Sequence, residues 1–264
     1  MTKHKCILFT LLMIFFTSSV SMASVEVIGS LKQVFTSNPG DVVKGQIAIQ
    51  NSEETDQEVR IYQTDMLYNH LDQTFYDEVG SNKRTNGNWL QYSPKTVVLK
   101  GKETRNIDFE IALPASDTIK GTYWSIIMIE GVTPIDTSRA GELNIRTVTR
   151  YAVQLVNEVE NQGTGFLRFM EPTLTREEEN LYLAIDLVNE GDHYIGPEIS
   201  MELYDEEGTL VKTLSAPKRG IYPGTSTRFK LDLAGIPSKK TYTAMIVAAG
   251  QADDVFGLEY TLYF

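Results

Sequence analysis

The chain has 264 residues, 42% hydrophobic and 22% charged, and its 24 basic residues face 35 acidic ones for a net charge of −11. That balance argues against nucleic acid and other polyanions as partners, and a single cysteine excludes a disulfide framework. Stability must then come from core burial, and the length suits two domains of roughly 100 to 130 residues.

A basic start with Lys3 and Lys5 leads into the apolar run "ILFTLLMIFF" and the small-residue exit "SSVSMA". This is the pattern of a secretory signal peptide, 1–23, with cleavage after Ala23 and a mature chain beginning at Ser24. An apolar run of about ten residues is too short to span a bilayer comfortably. Cys6 precedes that run, so it is not placed to receive a lipid, and the mature chain has no thiol. No later stretch approaches the ~18 apolar residues of a membrane helix. The reading is an exported protein without an integral membrane segment in its mature chain.

Period-two segments then follow one another: "GQIAIQN", "EVRIYQ", "KTVVLKG", "RNIDFEIALP", "TYWSIIMIE", "LNIRTVTRYAVQLV", "NLYLAIDLVN", "ISMELYDEEG", "RFKLDLAG", "YTAMIVAAG" and "LEYTLYF". Alternation rich in Ile, Val, Thr and Tyr, broken by turn pairs such as Pro39-Gly40 and Pro223-Gly224, predicts an all-β protein. Strands at this spacing fit two immunoglobulin-like β-sandwich domains in tandem, 24–158 and 165–264, joined by the polar "NEVENQGTG" of Asn157 to Gly165. Trp124 reads as a core residue, and Trp89 as packing at a sandwich end.

Chemistry is sparse. "TREEEN" at Thr175 to Asn180 and "DEEG" at Asp205 to Gly208 join strand patterns and lack the ligand spacing of a calcium loop. "QADDVFG" reads as the loop before the last strand. The mature chain has two histidines, His70 and His193, in loop contexts far apart, and no GxSxG, HExxH or phosphate loop. No metal or cofactor is expected and no catalytic residue is assigned. A pair of carboxylates at glycosidase separation is the one catalytic arrangement that sequence leaves open.

Several first-domain segments, in order, resemble the N-terminal domain of periplasmic pilus chaperones, the PapD-like family. They are "LKQVFTSNPGDVVKGQIAIQN", "WLQYSPKTVVLKGKETRNIDFEI", "GTYWSIIMIEGVTP" and "GELNIRTVTRYAVQLV". The second half is similar to a generic bacterial Ig-like domain. The resemblance implies a non-catalytic chaperone that binds pilus or surface-fibre subunits by β-strand addition, lending an edge strand to an incomplete pilin sandwich. It implies a periplasmic location and a secreted pilin-like or surface-protein partner.

The donor face would hold Leu143, Ile145, Thr147, Thr149, Tyr151 and Val153, with Arg146 and Arg150 on the other face. The family anchors its client's terminal carboxylate with two basic residues. Lys32 fits the first place, whereas Ala152 occupies the second and Arg150 stands two residues before it. The partner-binding candidates are therefore Lys32, Leu143, Ile145, Arg146, Arg150 and Tyr151. In the competing reading the two arginines solvate or protect an edge. The alternative function is a structural or adhesive envelope module, at the cell surface or in the periplasm, that meets a protein or glycan through its loops or second domain. Gram-positive secreted proteins that bind WxL-type surface proteins are a second resemblance. They end in a membrane anchor, and the stop at Phe264 favours the periplasmic reading. The ending "LEYTLYF" also resembles the last strand of an outer-membrane barrel, a reading that the doubly apolar "YTAMIVAAG" and "TYWSIIMIE" oppose.

Overall fold

The computed structural model describes residues 25–132, 148–159, 163–251 and 254–264. These form two β-sandwiches, with one short 3-10 turn at Gly87–Trp89. In the first, β1 (Val25–Ile28), β3 (Val42–Asn51), β8 (Thr104–Ala112) and β6 (Leu90–Ser93) pair in that order. The facing sheet runs β2 (Lys32–Ser37), β10 (Arg150–Val159), β9 (Gly121–Val132), β4 (Gln57–Tyr68) and β5 (Thr74–Asp77), with β7 (Thr96–Leu99) also paired to β4. The chain switches sheets between β1 and β2 at Gly29, whose φ of 98° suits a residue without a Cβ.

Alternation decides the core. In β8 Ile107, Phe109 and Ile111 are buried while Asn106 and Asp108 are exposed, and Ile47, Ile49, Val59, Ile61, Ile127, Ile129, Val153 and Leu155 close the same core. The second sandwich sets β13 (Asn180–Asn189), paired with β11 (Leu167–Phe169), β12 (Thr173–Glu177) and β16 (Ser226–Asp232), against β14 (Glu198–Tyr204), β15 (Leu210–Ala216), β17 (Thr241–Ala249) and β18 (Val255–Tyr263). Leu183, Ile185, Leu187, Phe229, Met201, Ala244 and Ile246 are central to its core. Among the described residues no helix is long and apolar enough to cross a membrane.

The outer face of the β2-β10-β9-β4 sheet does not simply meet water. Even-numbered residues of β9 point away from the first core, and Thr122, Trp124, Ile126, Met128 and Glu130 are nevertheless buried. The second sandwich covers the start of this row. Trp124 and Val156 cluster with Tyr222, the Trp124 and Tyr222 rings stack at 4.5 Å, and the indole N–H donates to the Met66 carbonyl at 2.8 Å. Tyr68 Oη donates to the Gly220 carbonyl at 2.9 Å and accepts from the Tyr222 N–H at 3.1 Å. The Thr122 N–H donates to the Asp192 carbonyl at 2.9 Å. Gly121, at φ 74°, lies so close to that carbonyl that a Cβ would collide with it.

A second part of the seam is charged. Asp186, 4% exposed, accepts two hydrogen bonds of 2.7 Å from Arg228, and His70 of the first sandwich reaches it at 3.7 Å. Ser226 Oγ lies 3.0 Å from His70 Nδ1 and accepts the His70 backbone N–H at 3.0 Å. Hydroxyl, imidazole and carboxylate lie in the order of a hydrolytic triad. Their surroundings differ, because Ser226 is 8% exposed and both Asp186 oxygens are held by Arg228. The group links the two sandwiches through His70.

Candidate functional site

The site follows from an unequal pairing. β10 is the last strand before the edge of its sheet, and β2 covers that edge in parallel from Lys32 opposite Gln154 to Ser37 opposite Val159. Among the described residues no strand pairs with the remaining side of Arg150 to Val153. The Gln154 N–H donates to the Leu31 carbonyl at 2.7 Å. In a strand, peptide groups of residues two apart point to the same side, so the backbone groups of Ala152 and Arg150 face this edge. Those of Tyr151 and Val153 face β9. Arg150 and Ala152 thus offer two N–H and two C=O groups to an added strand.

Lys32 stands where β2 leaves that edge. Its side chain is exposed as a whole, yet the ammonium lies 4.4 Å from the centre of the Tyr194 ring and 5.1 Å from that of Tyr222. Burial against these surroundings lowers its pKa, partly offset by the nearby Glu158 carboxylate. The Tyr222 hydroxyl donates to Gln154 Oε1 at 3.2 Å, and burial pushes its pKa far up, so the phenol stays neutral. A cation, a neutral phenol and a carboxamide therefore converge at the end of the open edge, which suits an incoming carboxylate.

Arg150 is engaged at the other end. Its Nε donates to Glu130 Oε2 at 2.5 Å, Arg60 donates to Glu130 Oε1 at 2.7 Å, and the Tyr62 hydroxyl donates to Oε2 at 3.0 Å. Glu130 is 9% exposed at its side chain, whereas Arg60 and Arg150 are 55% and 57% exposed. Burial alone would raise the Glu130 pKa, but the hydrogen bonds from Tyr62 and Arg150 and the two guanidinium charges outweigh it and hold the carboxyl below its usual value.

A folded-state pKa below the unfolded one adds stability that is complete above the ordinary carboxylate range and is lost as pH falls through the lowered value. Glu130→Gln is expected to unfold more easily at neutral pH and to show a flatter stability profile from about pH 5 to pH 3. Urea midpoints across that range check this. Equal slopes in both proteins would place the acid sensitivity elsewhere.

Of the residues chosen from sequence, Lys32, Arg150 and Tyr151 are described, and Leu143, Ile145 and Arg146 lie outside the described residues. Lys32 and Arg150 mark opposite ends of one short edge, since Arg150 stands four places before the Gln154 opposite Lys32. Tyr151 turns inward, partly buried against the first core, with Val153 fully in it. Sequence reading did not find Glu130, Arg60, Gln154, Tyr194 or Tyr222. The one signal available was the acidic end of an otherwise apolar "TYWSIIMIE".

No protein-family model matches the sequence, and no curated protein matches it. Solved structures do. A chaperone–tip adhesin complex of CFA/I fimbriae biogenesis superposes with a TM-score of 0.50 at 13% identity, over 90% of this chain and 98% of that one. The chain has the PapD-like chaperone fold. The class 5 fimbriae chaperone CfaA (TM-score 0.47, 13% identity, 90% and 98% coverage) is also similar. So is the CsuC–CsuE chaperone–tip adhesion subunit complex of Acinetobacter baumannii (0.47, 12%, 90% and 98%). At these identities the likeness concerns the chaperone fold alone. Within that fold, the parallel β2–β10 pair begins at Lys32, and among the described residues no strand pairs with the edge of β10 before it.

Proposed function

We propose that this protein is a non-catalytic periplasmic chaperone that captures a secreted pilin-like or surface-fibre subunit by adding a strand to the open edge of β10. The observation that carries this reading is the stretch Arg150 to Val153, which among the described residues faces no partner strand while Lys32 closes its far end. A strand laid there meets paired backbone groups in β-sheet spacing. The lysine decides its direction. A parallel strand brings its terminal carboxylate to the Lys32 ammonium, and an antiparallel one would bring an amino terminus to the same cation. The candidate Arg150 then serves the edge through Glu130 instead of clamping the carboxylate, and Tyr151 positions β10 by its packing.

In this reading capture belongs to the first sandwich, 24–158. The second, 165–264, supplies the Tyr194 and Tyr222 wall of the carboxylate site. The signal peptide, 1–23, delivers the chain to the compartment where unpaired subunits emerge. The likeness in fold to a chaperone in complex with a tip adhesin supports the reading.

The test is co-purification of the tagged mature protein from the envelope of its own host, wild type beside Lys32→Met, with mass spectrometry of what accompanies it. A small β-rich subunit is expected with the wild type, recovered about tenfold less with Lys32→Met. Saturable glycan or matrix binding with no such subunit would overturn this reading in favour of an envelope module.

A further inference from the structure

The Arg60–Glu130–Arg150 group carries more charge than its own pairing uses. Two arginines share one carboxylate, which leaves a net positive site on a chain whose total is −11. Both arginine side chains are more than half exposed, while the Glu130 side chain that holds them is 9% exposed and braced by Tyr62. Arg60 and Arg150 lie opposite the same residue, Glu130, from the two neighbouring strands. Their free N–H groups are thus fixed in one row across the sheet, ending at the open edge. Arginines solvating a surface at random would not share a buried counter-ion.

Register then says what the row would meet. Lys32 pairs with Gln154 and the Leu31 carbonyl accepts the Gln154 N–H, so this chain itself fills the place beside Val153, and the first place open to a captured strand is beside Ala152. A captured parallel strand whose terminal residue stands there sets the residue two positions earlier beside Arg150, with its side chain on the arginine face. Between the two ends, Ala152 and the buried Met128 offer no charge. We propose that this cluster is a specificity site that reads an acidic side chain two residues before the terminal residue of the captured strand. The inference rests on the strand-addition reading and adds a chemical requirement on the client. Charge-assisted contact with a half-exposed arginine pair corresponds to about a fivefold preference for the acid over its amide.

The test uses the full mature protein and two fluorescein-labelled ten-residue peptides of alternating valine and threonine with a free carboxyl terminus. They carry Glu or Gln two residues before the last one, and binding is followed by anisotropy. The Glu peptide is expected to bind about fivefold more tightly in low salt. The preference should vanish with Arg60→Gln, which leaves Glu130 paired to Arg150 and Tyr62, and with the charge-free R60Q/E130Q/R150Q, while affinity for the Gln peptide stays unchanged. Equal binding of both peptides to the wild type, or a preference that survives in both variants, overturns the specificity site and leaves strand addition standing. Binding of neither peptide overturns strand addition at this edge and the specificity site with it.

Discussion

Trp124→Ala is expected to lower the unfolding free energy by about 3 to 5 kcal/mol, the range for removing a fully enclosed large aromatic. Trp124 is 0% exposed, although its side chain leaves the first sandwich on the face away from that sandwich's core. Its burial is supplied by the other sandwich, through the stack on Tyr222 at 4.5 Å with an interplanar angle of 25°. Alanine would open a cavity between two bodies, and it would leave the Met66 carbonyl without the indole donor at 2.8 Å. Because Tyr222 also faces Lys32 and donates to Gln154, the same change should loosen the carboxylate end of the open edge. Urea unfolding followed by far-UV circular dichroism measures the loss. A cost below about 1 kcal/mol would mean that the two sandwiches are not energetically joined at this residue.

Asp186→Ala is expected to cost about 3 kcal/mol, because it leaves a charge without its partner in the seam. Arg228 is 22% exposed at its side chain and gives two hydrogen bonds to Asp186, which in turn raises the arginine's own pKa. Removing the carboxylate strands that guanidinium and takes the nearby anion from His70 across the seam. The double change Asp186→Leu with Arg228→Met removes both charges at similar volume and should recover most of the loss, since a buried ion pair adds little over well-packed apolar groups. Stability measured for the three proteins separates the outcomes. A double variant no better than Asp186→Ala would show that the pair does more than balance its own charges.

The strands were legible because their signals are local. "RNIDFEIALP" alternates as β8 does, and the doubly apolar "TYWSIIMIE" corresponds to β9, which is buried on both faces from Trp124 to Glu130. Period two groups Tyr151 with Val153 correctly, yet it does not say what their face meets. The sequence reading gave that face to a client, and the folded chain turns both residues into its own first core. Trp124 shows the same limit, since its burial comes from Tyr222, far along the chain. Arg150 looked free because Glu130 lies 20 residues away across a strand pair. Lys32 was found through a family pattern, whereas the tyrosines around it belong to the other sandwich. Residues brought together by pairing between strands and between sandwiches leave no spacing to read.

Ala152→Pro tests whether the backbone of β10 receives the partner. Because the Gln154 N–H points to Leu31, the Ala152 N–H two residues earlier points to the open edge, and proline there removes a donor that no described strand uses. Val153→Pro, which would break a bond to β9, is the contrasting variant. Ala152→Pro is expected to stay folded, within about 1 kcal/mol of the wild type, and to lose the β-rich subunit on co-purification from the host envelope. Recovery of the same subunit at wild-type yield with folded Ala152→Pro would contradict capture at this edge.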